Sequence, residues 1–244
     1  MSKNTDKPTL EILYLYPNEM NIYSDTGNVL ALQRRLEWRG YGVKISYHHP
    51  GETFKHKPDI IIGGGGQDSG QLKVCEDLQK IGSSLHKLAD SGVPMLVICG
   101  TYQLFGHRFV TNTGEELPGI GIFDAETIGG QKRLIGNIIV DTPLGQIVGY
   151  ENHSGQTWLK NDQQPLGTVL AGFGNNGEDK TEGARYKNTI GSYLHGSVLP
   201  KNPKLADDLI RQALINRDEP AELTSLEDSL ATISLGLMKK RLLK

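Results

Sequence analysis

Short apolar runs alternate with segments of helical spacing along the first hundred residues. "LEILYLYP" (10–17) predicts a strand that ends at Pro17, and "DTGNVLALQRRLEWRG" (25–40) a helix. Asp25 or Thr26 stands at the cap of that helix, Leu30, Leu32, Leu36 and Trp38 supply its apolar positions, and Gly40 follows it. "GVKISY" (42–47) is a second strand, and "PDIIIGGGG" (58–66) a third that runs into a glycine loop. Between 70 and 92, Leu72, Cys75, Leu78, Ile81, Leu85 and Leu88 recur at spacings of three and four, one face of a helix. "VPMLVIC" (93–99) is a fourth strand. Strands alternating with helices predict an α/β fold, an open and mostly parallel sheet flanked by helices. The ligand site of such a sheet lies at the carboxyl ends of its strands, where the glycine run and Cys99 both fall.

From about 109 to 194 the apolar stretches are short and broken by glycine, proline and asparagine, which predicts hairpins and short strands added to the same sheet. "TIGSYLHG" (189–196) predicts a buried strand ending in a histidine, and "NPKLADDLIRQALINR" (202–217) a helix. Leu223, Leu226, Leu230, Ile233 and Leu237 then define an apolar helical row before a basic tail, Lys239, Lys240 and Arg241. That row either packs on its own domain or docks a partner. The organisation is a polar N-terminal tail (1–8), one main domain (9–217) and a C-terminal helical extension (218–244).

Composition narrows the function classes. Of 244 residues, 37% are hydrophobic and 22% charged, with a net charge of -2 and both signs interspersed, so no footprint for nucleic acid or an anionic membrane appears. The polar start "MSKNTDKP" and the lack of an 18-residue apolar run predict neither signal peptide nor membrane insertion. Two cysteines make no disulfide framework, which fits a reducing, cytoplasmic compartment. The 30 glycines suit a fold rich in tight turns.

Cys99 is the candidate nucleophile. In a turn between strand and helix its sulfur would sit over a helix N-terminus, which favours the thiolate, and the Gly100 N–H could stabilise an oxyanion. Cys75, mid-helix on the apolar face, is the internal contrast and reads as core. "GGGGQDSG" is no phosphate loop, because no lysine followed by serine or threonine stands in it. It can instead present a second N–H, from Gly64 or Gly65, to the target of the sulfur. A thiolate acting on an amide needs a base that later serves as acid. His195, directly after "IGSYL", is the candidate, with His153 in "YENHSGQT" as competitor. His48 and His49 fall in a polar turn before Pro50, while His56, His86 and His107 read as surface or helix positions. No histidine stands at metal-ligand spacing with a cysteine or carboxylate, so no metal site is expected.

Together, "PMLVICGTYQLFG", "IIIGGGGQD", "YENHSGQT", "GNNGEDKTEG" and "GSYLHG" resemble the class I glutamine amidotransferases, in their cobyric-acid-synthase-type branch. Tyr23, Ser24, Asp25, Gly27 and Asn28 match a motif of the glutaminase subunits of lipid II isoglutaminyl synthases. The resemblance spans roughly residues 9 to 217. It implies that Cys99 attacks the side-chain amide of L-glutamine, that His195 is base and acid, and that Gly65 and Gly100 form the oxyanion hole. It further implies that Gln103 faces the site and that Arg133, in "QKRLIGN", binds substrate; a guanidinium suits the α-carboxylate of free glutamine. Two departures stand out. Many members place a glutamate two residues after the histidine, and here that position is Ser197; Asp25 is the candidate orienter, or else a plain helix cap. Thr101 replaces a frequent second glycine after the cysteine and requires a helical backbone there. The implied function is a glutaminase that passes ammonia to a Mur-ligase-like synthetase subunit, MurT, which amidates the D-glutamate of lipid II in peptidoglycan synthesis. No cofactor is expected in this chain; ATP and Mg would belong to the partner of the heterodimer. The alternatives are another acceptor, such as a cobalamin precursor, and a non-enzymatic thiol-sensing or binding subunit.

Overall fold

The first half builds its strands where the apolar runs stand. The structure, a computed structural model, describes residues 7–243. In chain order they form β1 (Thr9–Leu15), α1 (Thr26–Glu37), β2 (Gly42–His48), β3 (Ile60–Gly63), α2 (Asp68–Asp90), β4 (Met95–Ile98) and α3 (Gly100–Phe105). β3 and β4 are buried along their whole length, the mark of strands covered on both faces. The second half adds β5 (Arg108–Val110), β6 (Glu116–Pro118), β7 (Ala125–Thr142), β8 (Gly145–Leu159), β9 (Gly167–Ala171), β10 (Thr181–Glu182), β11 (Ala184–Tyr186) and β12 (Thr189–Ser192). α4 (Val198–Lys201), α5 (Pro203–Asn216) and α6 (Ser229–Leu242) complete the chain.

One sheet has the order β11-β12-β4-β3-β1-β2, parallel except for β11 at its edge. Of the second half only the β11–β12 hairpin joins it; the remaining strands, contrary to the sequence expectation, do not. They form a second six-stranded sheet, β10-β9-β7-β5-β6 with β8 on β7. β7 and β8 are long rather than short and pair over most of their length. The glycines that break the pattern mark a register shift between Gly129 and Leu134, not a chain reversal. The sheets meet at an isolated bridge, where the His195 N–H donates to the Tyr150 carbonyl at 2.7 Å.

Several positions differ from the pattern. α1 buries Val29, Leu32 and Leu36, while Leu30 and Trp38 (66% exposed) lie off that face. Leu72 is exposed as well, at 41%. His48 is no turn residue: it ends β2, fully buried, with Nε2 2.9 Å from Asp77 Oδ2. β12 stops at Ser192, three residues short of His195. Residues 1–6 of the expected tail lie outside the described residues, whereas Lys7 donates to the Arg39 carbonyl at 2.8 Å. In the extension, Asp228 pairs with Arg35, and Arg39 donates to the Thr224 carbonyl, so the entry to α6 is tied to α1. α6 buries no residue, and Leu230 and Leu237 are 82% and 62% exposed.

Candidate active site

β4 delivers Cys99 into a sharp turn. Its φ of 48° and ψ of -105° lie in a region that L-residues rarely occupy, immediately before α3. Two backbone bonds hold it there: Cys99 N–H donates to the Ser192 carbonyl at 2.8 Å, and the Cys99 carbonyl accepts from Gln103 N–H at 2.9 Å. Cys75, by contrast, lies mid-α2 with its thiol directed at the Pro118 carbonyl, and burial pushes that thiol up. Thr101 lies inside α3, which meets the helical requirement, and its hydroxyl donates to the Gly64 carbonyl at 2.6 Å.

The glycine loop after β3 packs against the elbow so closely that side chains would not fit. A Cβ at Gly65 would lie 2.7 Å from His195 Cε1, and one at Gly100 would lie 3.0 Å from the Gly66 nitrogen. The Gly65 N–H donates to Asp25 Oδ2 at 2.7 Å. That amide is therefore turned to the carboxylate, away from its expected place in an oxyanion hole. Gly66, one residue on, lines the cavity with Cys99.

His195 and Asp25 are both fully buried, with Nδ1 and Oδ2 4.0 Å apart. Among the described residues neither ring nitrogen of His195 has a hydrogen-bond partner, nor does Asp25 Oδ1. Burial lowers the imidazole to about 3, with His153 and Arg133 adding to the effect. Burial raises Asp25 to about 7 against the opposing pull of the Gly65 N–H. Asp25 makes no side-chain cap to α1, so capping does not account for it.

His195 is covered by the edge-on ring of Tyr23, at 4.9 Å between centroids. His153 is the histidine that lines the cavity with Cys99. It stacks on Tyr193 at 3.6 Å, its Nδ1–H donates to the Gly155 carbonyl at 2.6 Å, and its buried Nε2 has no partner among the described residues. Burial lowers it to about 4. Gln103 also reaches the cavity, donating to the Tyr193 hydroxyl and accepting from Gln71 at 2.8 Å. Arg133 enters from the irregular stretch of β7, exposed, with Nε donating to Asn152 Oδ1, while Asn152 Nδ2 donates to the Tyr23 hydroxyl. The cavity encloses about 390 Å³, within the range of roughly 300–1,000 Å³ usual for small-molecule sites. Its lining is mostly polar, with one exposed guanidinium, which suits a small zwitterion or anion.

Sequence reasoning did not assign roles to Tyr23, Gln71 and Asn152. Tyr23 and Asn152 stand in motifs that drew attention for their neighbours. Gln71 is a polar residue in the first turn of a helix, with no local signal that it turns inward to 1% exposure.

The GatD subunit of lipid II isoglutaminyl synthase (glutamine-hydrolyzing) from Staphylococcus aureus (strain N315) is 40% identical over 222 residues, 90% of each chain. Its counterpart from Streptococcus pneumoniae (strain ATCC BAA-255 / R6) is 36% identical over 236 residues, 94% of this chain and 91% of that one. PurLQS from Thermotoga maritima shares the fold at 17% identity, with a TM-score of 0.56 over 87% of this chain and 100% of that one. The CobB/CobQ-like glutamine amidotransferase domain matches residues 11–203, and the chain belongs to that family.

Proposed function

We propose that this chain is the glutaminase subunit of a lipid II isoglutaminyl synthase. It hydrolyses L-glutamine and hands ammonia to a Mur-ligase-like subunit, MurT, that carries ATP and Mg and amidates D-glutamate of the stem peptide. The observation that carries the chemistry is the strained Cys99 elbow opening on a polar cavity with a guanidinium at its rim. The 40% identity to a GatD subunit over nine-tenths of both chains supports the acceptor.

The Cys99 thiolate attacks the δ-carbonyl carbon of glutamine, and the carbonyl oxygen becomes an oxyanion. The Gly100 N–H, and that of Gly66 in place of Gly65, stabilise it as charge develops. His195 takes the thiol proton and returns it to the departing nitrogen, so ammonia leaves and a glutamyl thioester remains. Water, deprotonated by the same imidazole, adds to the thioester; its collapse gives glutamate and restores the thiol. Asp25 closes onto Nδ1 when the imidazole becomes cationic, offsetting the burial that otherwise disfavours that charge. Arg133 holds the α-carboxylate, and Gln103 borders the amide end.

A second reading exchanges the histidines, because His153 shares the cavity with Cys99. Its Nδ1–H bond to Gly155 leaves Nε2 as the acceptor, a tautomer able to take a thiol proton.

The test is ammonia release from L-glutamine by the chain co-purified with its synthetase subunit. ATP, Mg and lipid II are then added, and mass spectrometry looks for isoglutamine in the stem peptide. Glutamine-dependent amidation supports the whole reading. Ammonia release without amidation of lipid II redirects the chain to another acceptor, and no release at all overturns the glutaminase.

A further inference from the structure

Asn152 stands between two groups that the chemistry needs in different places. Its Oδ1 accepts from Arg133 Nε and its Nδ2 donates to the Tyr23 hydroxyl. Tyr23 in turn lays its ring edge-on against His195, the fully buried imidazole. The Arg133 side chain makes no other hydrogen bond among the described residues and belongs to a stretch of β7 where the pairing with β8 loses register. The β-ladder therefore does little to hold its guanidinium. Asn152 does lie on the ladder, paired with Ile135.

We infer that Asn152 is a positioning residue for glutamine recognition, fixing the Arg133 fork toward the α-carboxylate and Tyr23 over His195 through one side-chain amide. This rests on the glutaminase reading of the site. The geometry explains why an amide is needed. Binding at Nε leaves the two terminal nitrogens for a bidentate carboxylate contact. A neutral acceptor orients the cation without neutralising it, whereas a carboxylate would compete with the substrate for its charge. The opposite end of the same amide donates to the Tyr23 hydroxyl and leaves that hydroxyl's own proton free for another acceptor, whereas a carboxylate would take the proton itself.

The experiment uses the full chain with its synthetase subunit and compares Asn152→Ala, Asn152→Asp and Arg133→Ala/Asn152→Ala. Asn152→Ala should raise KM for L-glutamine by about tenfold while kcat falls by no more than about threefold, the signature of lost substrate binding. The isosteric Asn152→Asp should raise KM at least as much, which a purely structural role would not produce. Because Asn152 acts through Arg133, the double variant should have the KM of Arg133→Ala within about twofold. Preference for L-glutamine over its α-methyl ester should shrink in Asn152→Ala. If Asn152→Ala fails to fold, Tyr23→Phe serves instead, losing the acceptor while keeping the ring, and its KM should rise. An unchanged KM in the variant that folds, or additive effects in the double variant, overturns the inference. A wild-type complex that releases no ammonia defeats the glutaminase reading itself, whereas turnover that is indifferent to Asn152 defeats this inference alone.

Discussion

The parallel sheet and the β7–β8 hairpin contribute to one cavity by opposite means. The sheet places Cys99, the glycine loop and Asp25 through backbone topology: strands of fixed direction end at one edge, and the turns there have little freedom. The hairpin places Arg133, Asn152 and His153 through side chains on a ladder that slips register beside them. On the proposed reading the reacting groups sit on the part of the fold that is hardest to deform. On the same reading the recognition groups sit where insertion and register change are tolerated. If that division holds, substitutions at the sheet edge should remove turnover, and those on the hairpin should weaken substrate binding.

The largest contrast lies within the first half. Cys99→Ala should lower glutamine hydrolysis by on the order of a thousandfold or more, since no thioester can form. Cys75→Ala should stay within about twofold, because that thiol is buried packing on α2 and reaches no cavity with Cys99. Ammonia assays on both variants, with thermal melts to confirm folding, decide the matter. Equal losses in two folded variants would break the assignment.

The histidines test the division directly, one from each region. His195→Ala should cost about a hundredfold or more in kcat, as loss of the base and acid. His153→Ala should act mainly on KM, since it borders the cavity and stacks on Tyr193. The reverse result would move the base onto the hairpin.

Arg133→Ala comes next in size. KM for glutamine should rise by about thirtyfold with kcat less affected, because two charge-assisted hydrogen bonds to the carboxylate are lost. Lysine restores the charge but not the fork, so Arg133→Lys should recover little. Alkylation of Cys99 by iodoacetamide should proceed as in wild type.

The same division governs how much the sequence disclosed. Strands β1, β3 and β4 were legible because burial on both faces produces continuous apolar runs that glycine and proline bound sharply, whereas β2, mostly half-buried or exposed at the sheet edge, shows in the alternation of "GVKISY". The place of Cys99 at a strand end was legible in the same way, whereas His195 stands three residues beyond its strand. The second sheet was not legible. In β8, alternation runs through Glu151, His153 and Thr157, polar residues that are buried, so its inward face does not look apolar. Glycines within the second half suggested short strands, yet at Gly129 the chain only shifts register inside one long strand, because a bulge and a turn use the same residue. The Gly65 amide could not be assigned from sequence either, since which of four successive glycines faces the sulfur depends on where Asp25 lies. The C-terminal row shows the limit of periodicity: Leu223 and Leu226 lie in irregular chain before α6, and Leu230, Ile233 and Leu237, which are on it, are exposed.

Asp25 gives the smallest effect and the sharpest test of the sheet edge, because its role should depend on pH. A carboxyl that ionises near 4 in the unfolded chain is pushed up to about 7 by burial in the fold. Below pH 7 it is therefore mostly neutral and gives His195 little help; above pH 7 it is ionised and can stabilise the imidazolium 4.0 Å away. Asp25→Asn, neutral at every pH, should lose about tenfold in kcat/KM at pH 8 and progressively less toward pH 6. Stability should move the other way. A carboxyl with its folded pKa raised destabilises the fold as pH rises from about 4, and the cost is complete above pH 7, on the order of 4 kcal/mol. Burial raises Glu151 to about 7 and Glu182 to about 8, with the same sign, so some decline in stability with pH remains in the variant. Wild-type melting temperature should then fall more steeply between pH 5 and pH 8 than that of Asp25→Asn, while the wild type is the faster enzyme at the upper end. Parallel melting curves with an undiminished pH–rate profile would leave Asp25 as a partner of the Gly65 amide alone and His195 without an orienting carboxylate.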